Sequence, residues 1–236
     1  MFLIHESDVE PTELEGRTTF LLVSRSSGSR TLTHNVSYFR PGHAPGHVHD
    51  PEEEVFYVDE GEGEVWIDGV PFRLAPGTTV HTPTKVEHNV HVTGHVPMRI
   101  IGSFSPHVVP GSYPNLPARS HDLPEPPSNE ADFVVHVIPT DSTDRALIST
   151  DRMTLRLRTI DAGDIWQLQA GGRDQIVHVL AGRATVAAGN AVYRLRRGSV
   201  VVLTGTDEAV LKASEATRAL DVRSLEANPL PSASEA

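Results

Sequence analysis

The chain has 236 residues, no cysteine and a formal net charge of −11. The lack of cysteine excludes disulfides, a thiolate metal site and a cysteine nucleophile. The acidic balance argues against nonspecific nucleic-acid binding, which needs a basic footprint.

Eighteen Pro and 18 Gly between many short apolar runs point to an all-β protein with many turns. The length allows one large domain or two small ones. The start, MFLIHESDVE, does not read as a signal peptide, and no run approaches transmembrane length. A cytoplasmic location is expected, in keeping with the absent cysteine.

Residues 1–16 are polar and acidic and read as a lead-in arm. Strands are expected over 18–23 and 32–39, separated by a mobile Ser/Gly/Arg turn over 24–30. Further strands are expected over 54–58, 64–67 and 70–74, the last two joined by a tight Asp68-Gly69 turn. Strands over 78–82, 88–92 and 99–104 complete the set, and no segment before residue 105 has a helical period. Residues 105–128 hold seven prolines, at 106, 110, 114, 117, 124, 126 and 127. Proline cannot donate to a ladder, so this is a linker, or a segment packed over a barrel mouth.

Chemistry concentrates in GHAPGHVHDPEEEVFYVDEG, residues 42–61. His47 and His49 are two apart, and side chains alternate on an extended chain, so both face one side. Glu54 opens the next strand and could join them, and His88 follows in PTKVEHNV. Three neutral imidazoles and a carboxylate suit a divalent first-row metal. Glu54, rather than Glu52 or Glu53, is chosen by its spacing to Gly61. His91, three after His88, faces away. His81, Tyr38, Arg40, Phe56 and Glu87 are candidates for lining a pocket or orienting a ligand. No nucleophile elbow, P-loop or GxGxxG motif stands out.

These residues carry a resemblance. Gly42, His47, His49, Glu54 and Gly61 resemble the first motif of the cupin superfamily; Pro76, Gly77, Pro83 and His88 resemble its second. The family often has Asn four residues after that histidine, where this chain has Val92, which is not a ligand position. The resemblance implies a small β-barrel with a metal held by His47, His49, His88 and Glu54.

The pattern then returns. Gly42, Gly61 and Gly77 correspond to Gly163, Gly182 and Gly198 at a constant offset of 121, an internal repeat without gaps. The expected architecture is therefore two cupin (jelly-roll type) β-barrels in tandem, a bicupin. The expected division is a metal-binding barrel over 1–104, the linker over 105–128, a degenerate barrel over 129–227 and a disordered tail over 228–236. The offset carries the four ligand positions onto Leu168, Ala170, Gln175 and Ala209, which cannot make the same site.

Four ligands on an ion that prefers six leave two positions open, as in catalytic rather than structural sites. One divalent transition metal per chain is expected, Fe first, with Mn, Ni, Co or Zn as alternatives. The resemblance implies either of two chemistries. One is a dioxygenase on an enol, diketone or phenol. The other is a non-redox isomerase, cyclase or lyase, with the metal as Lewis acid. A small-molecule-binding protein without catalysis, or a metal that only pins the barrel, are the other classes. The expected partner is a small-molecule substrate, with no nucleic acid and no membrane; homo-oligomerisation is left open.

Overall fold

The structure is a computed structural model that describes residues 1–116, 134–136 and 144–225. The proline-rich segment beyond residue 116 and the tail from 228 lie outside the described residues. Among those described, the only helical residues form two 3-10 turns, Glu6–Asp8 and Arg25–Ser27; the rest is strand, turn and loop. The all-β expectation holds.

The chain divides into two compact units. The first contains Glu6–Ser24 and the described residues from Thr33 to His136. Its larger sheet places the strands in the order Val134–His136, Thr78–Thr82, Glu53–Glu60, Met98–Ser105, Thr33–Phe39, Arg17–Val23 and Thr12–Leu14. Its smaller sheet runs Gly42–His43, His88–Val92, Gly63–Ile67 and Val70–Leu74. All pairings are antiparallel. The two sheets bury one core between them. Phe56, Val58, Val80 and Ile100 come from the larger sheet; Val65, Phe72, Leu74 and Val90 come from the smaller. Alternation puts these residues inside, and each large side chain removed from water contributes roughly 1.5–3 kcal/mol.

The second unit contains Met1–His5, Arg25–Leu32 and the described residues from Asp144 onward. Its larger sheet runs Phe2–His5, Ser199–Gly205, Arg173–Ala181, Thr217–Ser224, Met153–Ile160 and Arg145–Ser149. Its smaller sheet runs Ile165–Gln169, Glu208–Ala213, Arg183–Ala188 and Ala191–Arg196. Leu168, Val177, Val186, Leu203 and Leu211 pack in its core.

Two N-terminal segments thus belong with the second unit, which a cut at the linker does not anticipate. Residues 1–16 are not merely an arm: Phe2–His5 is an edge strand and Thr12–Leu14 a short strand of the first unit. The Ser/Gly/Arg turn is anchored rather than mobile. Asp174 Oδ2, fully buried, accepts from the backbone amides of Arg30 and Thr31 at 2.8 and 2.7 Å, and from both Ser29 Oγ and Thr31 Oγ1 at 2.9 Å.

The repeat is visible in the register. His47 bridges His88, and Leu168 pairs with Ala209. Glu54 lies opposite Thr82, and Gln175 opposite Leu203. The offset is 121 for each. In the closing strand it changes: Ile101 lies opposite Tyr57, but Leu220 lies opposite His178, an offset of 119. The preceding turn is two residues shorter in the second unit, so the repeat is not free of gaps. The motif glycine has the same cause in both units. Gly61 has φ +91°, and a β-carbon on it would come 2.7 Å from Met98 Cα; Gly182 has φ +85°, and its β-carbon would meet Ala216 O at 2.3 Å.

Candidate metal centre

The first unit brings His47, His49 and His88 together. One ring nitrogen from each lies within 4.8 Å of the others. The His47 ring is 4.9 Å from that of His49 and 4.5 Å from that of His88, centroid to centroid. Three elements place them. His47 lies in the irregular stretch between two strands, held to His88 by reciprocal backbone hydrogen bonds of 3.1 and 3.0 Å. His49 follows two residues on, its backbone carbonyl accepting from Lys85 N at 2.7 Å. Glu54 comes from the adjacent strand of the larger sheet.

Glu54 Oε2 lies 3.6 Å from His49 Nε2 and 3.3 Å from His88 Nε2. His88 Nδ1 donates to Val86 O at 3.0 Å, so Nδ1 carries the proton and Nε2 presents a lone pair. Lone pair then faces carboxylate, an arrangement that requires a cation or a proton between them. The Nε2 atoms of His49 and His88 are buried without a hydrogen-bond partner. Orphaned buried nitrogens around a carboxylate oxygen fit a divalent ion.

The charges agree with this. Burial pulls the Glu54 carboxyl upward, but the neighbouring His49 and His88 imidazoles outweigh it and hold the pKa well below the usual carboxylate range. Burial holds the His47 pKa well below its ordinary value, and His88, Arg17 and His49 add to the effect. Glu54 thus stays a carboxylate and His47 a neutral imidazole, the forms in which each can bind a metal.

A cavity opens beside the cluster, with a volume of about 40 Å³. Phe56, Phe104, Val90 and Ile100 make its apolar wall; Thr19, Asn35, Ser37 and Arg17 make a polar one. Val108, Pro110, Gly111 and Tyr113 also line it, so the start of the proline-rich segment packs over the mouth. Leu116 N donates to Gly46 O at 2.8 Å and fastens that segment down. Tyr113 lies edge-on to His49, 4.6 Å between centroids, and its hydroxyl donates to the buried Glu52. Burial and Glu52 raise the phenol pKa, which keeps it protonated.

Of the additional candidates, only Phe56 lines this cavity. Tyr38 points to the opposite face, where its hydroxyl accepts from Arg99 Nε at 3.1 Å. Its neighbours Ser37 and Phe39 are the ones inside, by strict alternation. Arg40 is an exposed partner of Glu13. His81 lies 3.4 Å from Glu53, on the face of that strand away from Glu54. Glu87 is at the outer side of Gly46 and does not line the cavity. His91 stacks on His43 at 3.6 Å, clear of the cluster. Arg17, Asn35 and Tyr113 are among the lining residues that the sequence does not single out. Strand alternation could have found Asn35, but nothing local marks Arg17 or Tyr113.

In the second unit, Leu168, Ala170, Gln175 and Ala209 are all buried. Gln175 Nε2 donates to Asp221 Oδ1 at 2.8 Å, and Arg158 Nε to Asp221 Oδ2 at 3.1 Å. A hydrogen-bonded pair with its counter-charge stands where the first unit has its cluster.

A model of the cupin domain matches residues 35–104. The dimethylsulfoniopropionate lyase of Ruegeria pomeroyi is 34% identical over 98 residues, 41% of this chain and 62% of that protein. Protein SchB of Streptomyces halstedii is 33% identical over 101 residues, 42% of this chain and 73% of that one. The quercetin 2,3-dioxygenase of Bacillus subtilis is 33% identical over 64 residues, 25% of this chain and 19% of that protein. The chain thus spans less than two thirds of the lyase and of the dioxygenase. Among solved structures, an oxalate decarboxylase of Bacillus subtilis, described for its Mn(II) centres, superposes with a TM-score of 0.72 at 16% identity. That match covers 93% of this chain and 76% of the other.

Proposed function

The chain belongs to the cupin superfamily as a bicupin, and we propose that it is a mononuclear metal-dependent enzyme of dioxygenase type acting on a small organic substrate. One observation carries the reading: unpaired imidazole nitrogens of His49 and His88 converge with His47 on Glu54, beside a small cavity. His47, His49, His88 and Glu54 would hold one divalent ion. An ion held there would supply an electrophilic centre for substrate alone or for substrate and dioxygen.

The remaining residues act on the substrate directly. Phe56, Phe104, Val90 and Ile100 exclude water from one side. Thr19, Asn35 and Ser37 offer hydrogen bonds that orient a polar group. Tyr113 and the segment behind it narrow the entrance. The similarity to quercetin 2,3-dioxygenase supports the redox reading.

A second reading, a non-redox lyase, is favoured by the longer similarity to the dimethylsulfoniopropionate lyase. Metal analysis of untagged protein followed by oxygen uptake with diketones and phenols separates the two. Iron with substrate-dependent oxygen consumption supports the dioxygenase. Turnover without oxygen use supports the lyase. Protein that purifies and reconstitutes without any metal overturns both.

A further inference from the structure

Arg17 occupies a particular place in the first unit. It lines the cavity beside the histidine cluster and also an outer cavity of about 190 Å³. Only His47, Gly111 and Tyr113 are likewise shared by both. These four residues therefore form the neck between the solvent side and the candidate metal centre.

Arg17 is half-buried, and an arginine drawn that far out of water usually keeps an ion pair. Arg99 of the same unit shows the usual solution, with Asp59 and Glu6 each 2.6 Å away. Arg17 has no carboxylate within ion-pair distance among the described residues. Its guanidinium instead lies over the Phe39 ring, 5.3 Å from the centroid, which fixes it without using its donors. Burial opposes its charge and the field of Glu54 supports it. Glu54 itself faces His49 and His88. A charged, planar, five-donor group held unpaired at the neck of a cavity is arranged for an anion that arrives from outside. The chain's net charge of −11 would otherwise repel such a ligand, so its attraction has to be local.

We infer that Arg17 binds a carboxylate of the substrate, and that the substrate class is a short-chain organic acid whose second polar group reaches the histidine cluster. This rests on the reading of that cluster as a metal centre. Size supports a short acid. A water needs about 10–15 Å³ of such volume, so the inner cavity holds only a few non-hydrogen atoms. Larger acids are left to the outer cavity, where Leu14, Glu15 and Asn115 line the walls. Glu15 there disfavours a second negative charge on the solvent side.

The test uses malonate as the probe and its neutral diamide, malonamide, as the isosteric control, titrated calorimetrically into full-length protein with and without added Mn²⁺. Malonate is expected to bind at least about tenfold more tightly than malonamide, a difference of about 1.4 kcal/mol. Arg17→Gln should abolish that ratio while metal content stays at the wild-type level. Arg17→Lys, which keeps the charge but not the fork, should retain part of it and serves if Arg17→Gln does not fold. Failure of malonate to bind wild-type protein, equal binding of malonamide, or unchanged malonate affinity in Arg17→Gln overturns the proposal. Inorganic phosphate binding as tightly as malonate overturns its assignment to a carboxylate. The metal-free titration distinguishes the two readings. A charge preference that depends on Arg17 in protein that takes up no metal supports the anion site while the enzyme reading fails.

Discussion

Gly102 stands against the Glu54 carboxylate: a β-carbon at position 102 would lie 3.2 Å from Glu54 Oε1. It would also lie 2.8 Å from Asn35 Oδ1. The residue in the equivalent register position of the second unit is Asp221, whose side chain fills that space and accepts from Gln175. Gly102→Ala is therefore expected to push Glu54 out of line and weaken metal binding at least about tenfold, with an overpacking cost of about 1–3 kcal/mol. Metal titration and thermal melting check it; unchanged affinity would mean the carboxylate position is not critical.

His47→Ala, His49→Ala and His88→Ala should each lose most bound metal yet keep the barrel folded. The second unit already packs Leu168, Ala170 and Ala209 in those places. Glu54→Gln should weaken binding by removing the negative ligand. Elemental analysis with circular dichroism reads both properties, and retained full metal content in all four variants would show that other residues hold the ion.

One metal per chain is expected at saturation. Among the described residues, the only group of three or more ligand-type side chains in metal-holding geometry is that of His47, His49 and His88. A divalent ion in the second interior would meet apolar walls, one amide and an Asp221 carboxylate that Gln175, Arg158 and Arg223 already engage. Two metals per chain after careful removal of loosely bound ions would contradict this.

Stability should fall on mild acidification because of His34. It is fully buried, with Nδ1 2.9 Å from Ser103 Oγ. Burial, assisted by Arg99, pushes its pKa from 6.5 down to about 3. Between those values the unfolded chain binds more protons than the folded one. Stability is therefore lost as pH falls through this window and regained as it rises, by up to about 1.4 kcal/mol per pH unit from this group. His34→Gln should flatten that part of a urea-denaturation profile; an unaltered slope would place its origin elsewhere.

Asp221→Ala should destabilise the second unit by about 3 kcal/mol, because it leaves the buried Gln175 amide without its acceptor and takes from Arg158 its buried carboxylate, leaving it Asp144 alone. Metal content should not change. Denaturant melts measure the first quantity and elemental analysis the second.

Much of the molecule was legible in the residues. Period-two alternation marks the strands, and the offset of 121 maps the ligand positions of the first unit onto those of the second, where Leu168 pairs with Ala209 as His47 bridges His88. The histidine cluster is legible because His47, His49 and Glu54 keep one motif spacing to Gly61 and His88 sits in a second motif. The lining was less so. The chemistry of Tyr38 and Arg40 suits a pocket, but they stand one position out of phase with Asn35, Ser37 and Phe39. Arg17 comes from a preceding strand and Tyr113 from a segment beyond the barrel, so neither shares a local pattern with the histidines. The two-residue gap before the closing strand lies in a turn, where no alternation exists to reveal it.

The edge strand Phe2–His5 pairs residue by residue with Ser199–Val202. On the ribosome these partners emerge almost a whole chain apart. Until the later one appears, the earlier one has no sheet to join, and the second sheet has no cover for that edge. A protein divided at its proline-rich segment would separate them for good, leaving the Ser199–Gly205 backbone as an open template for any passing strand.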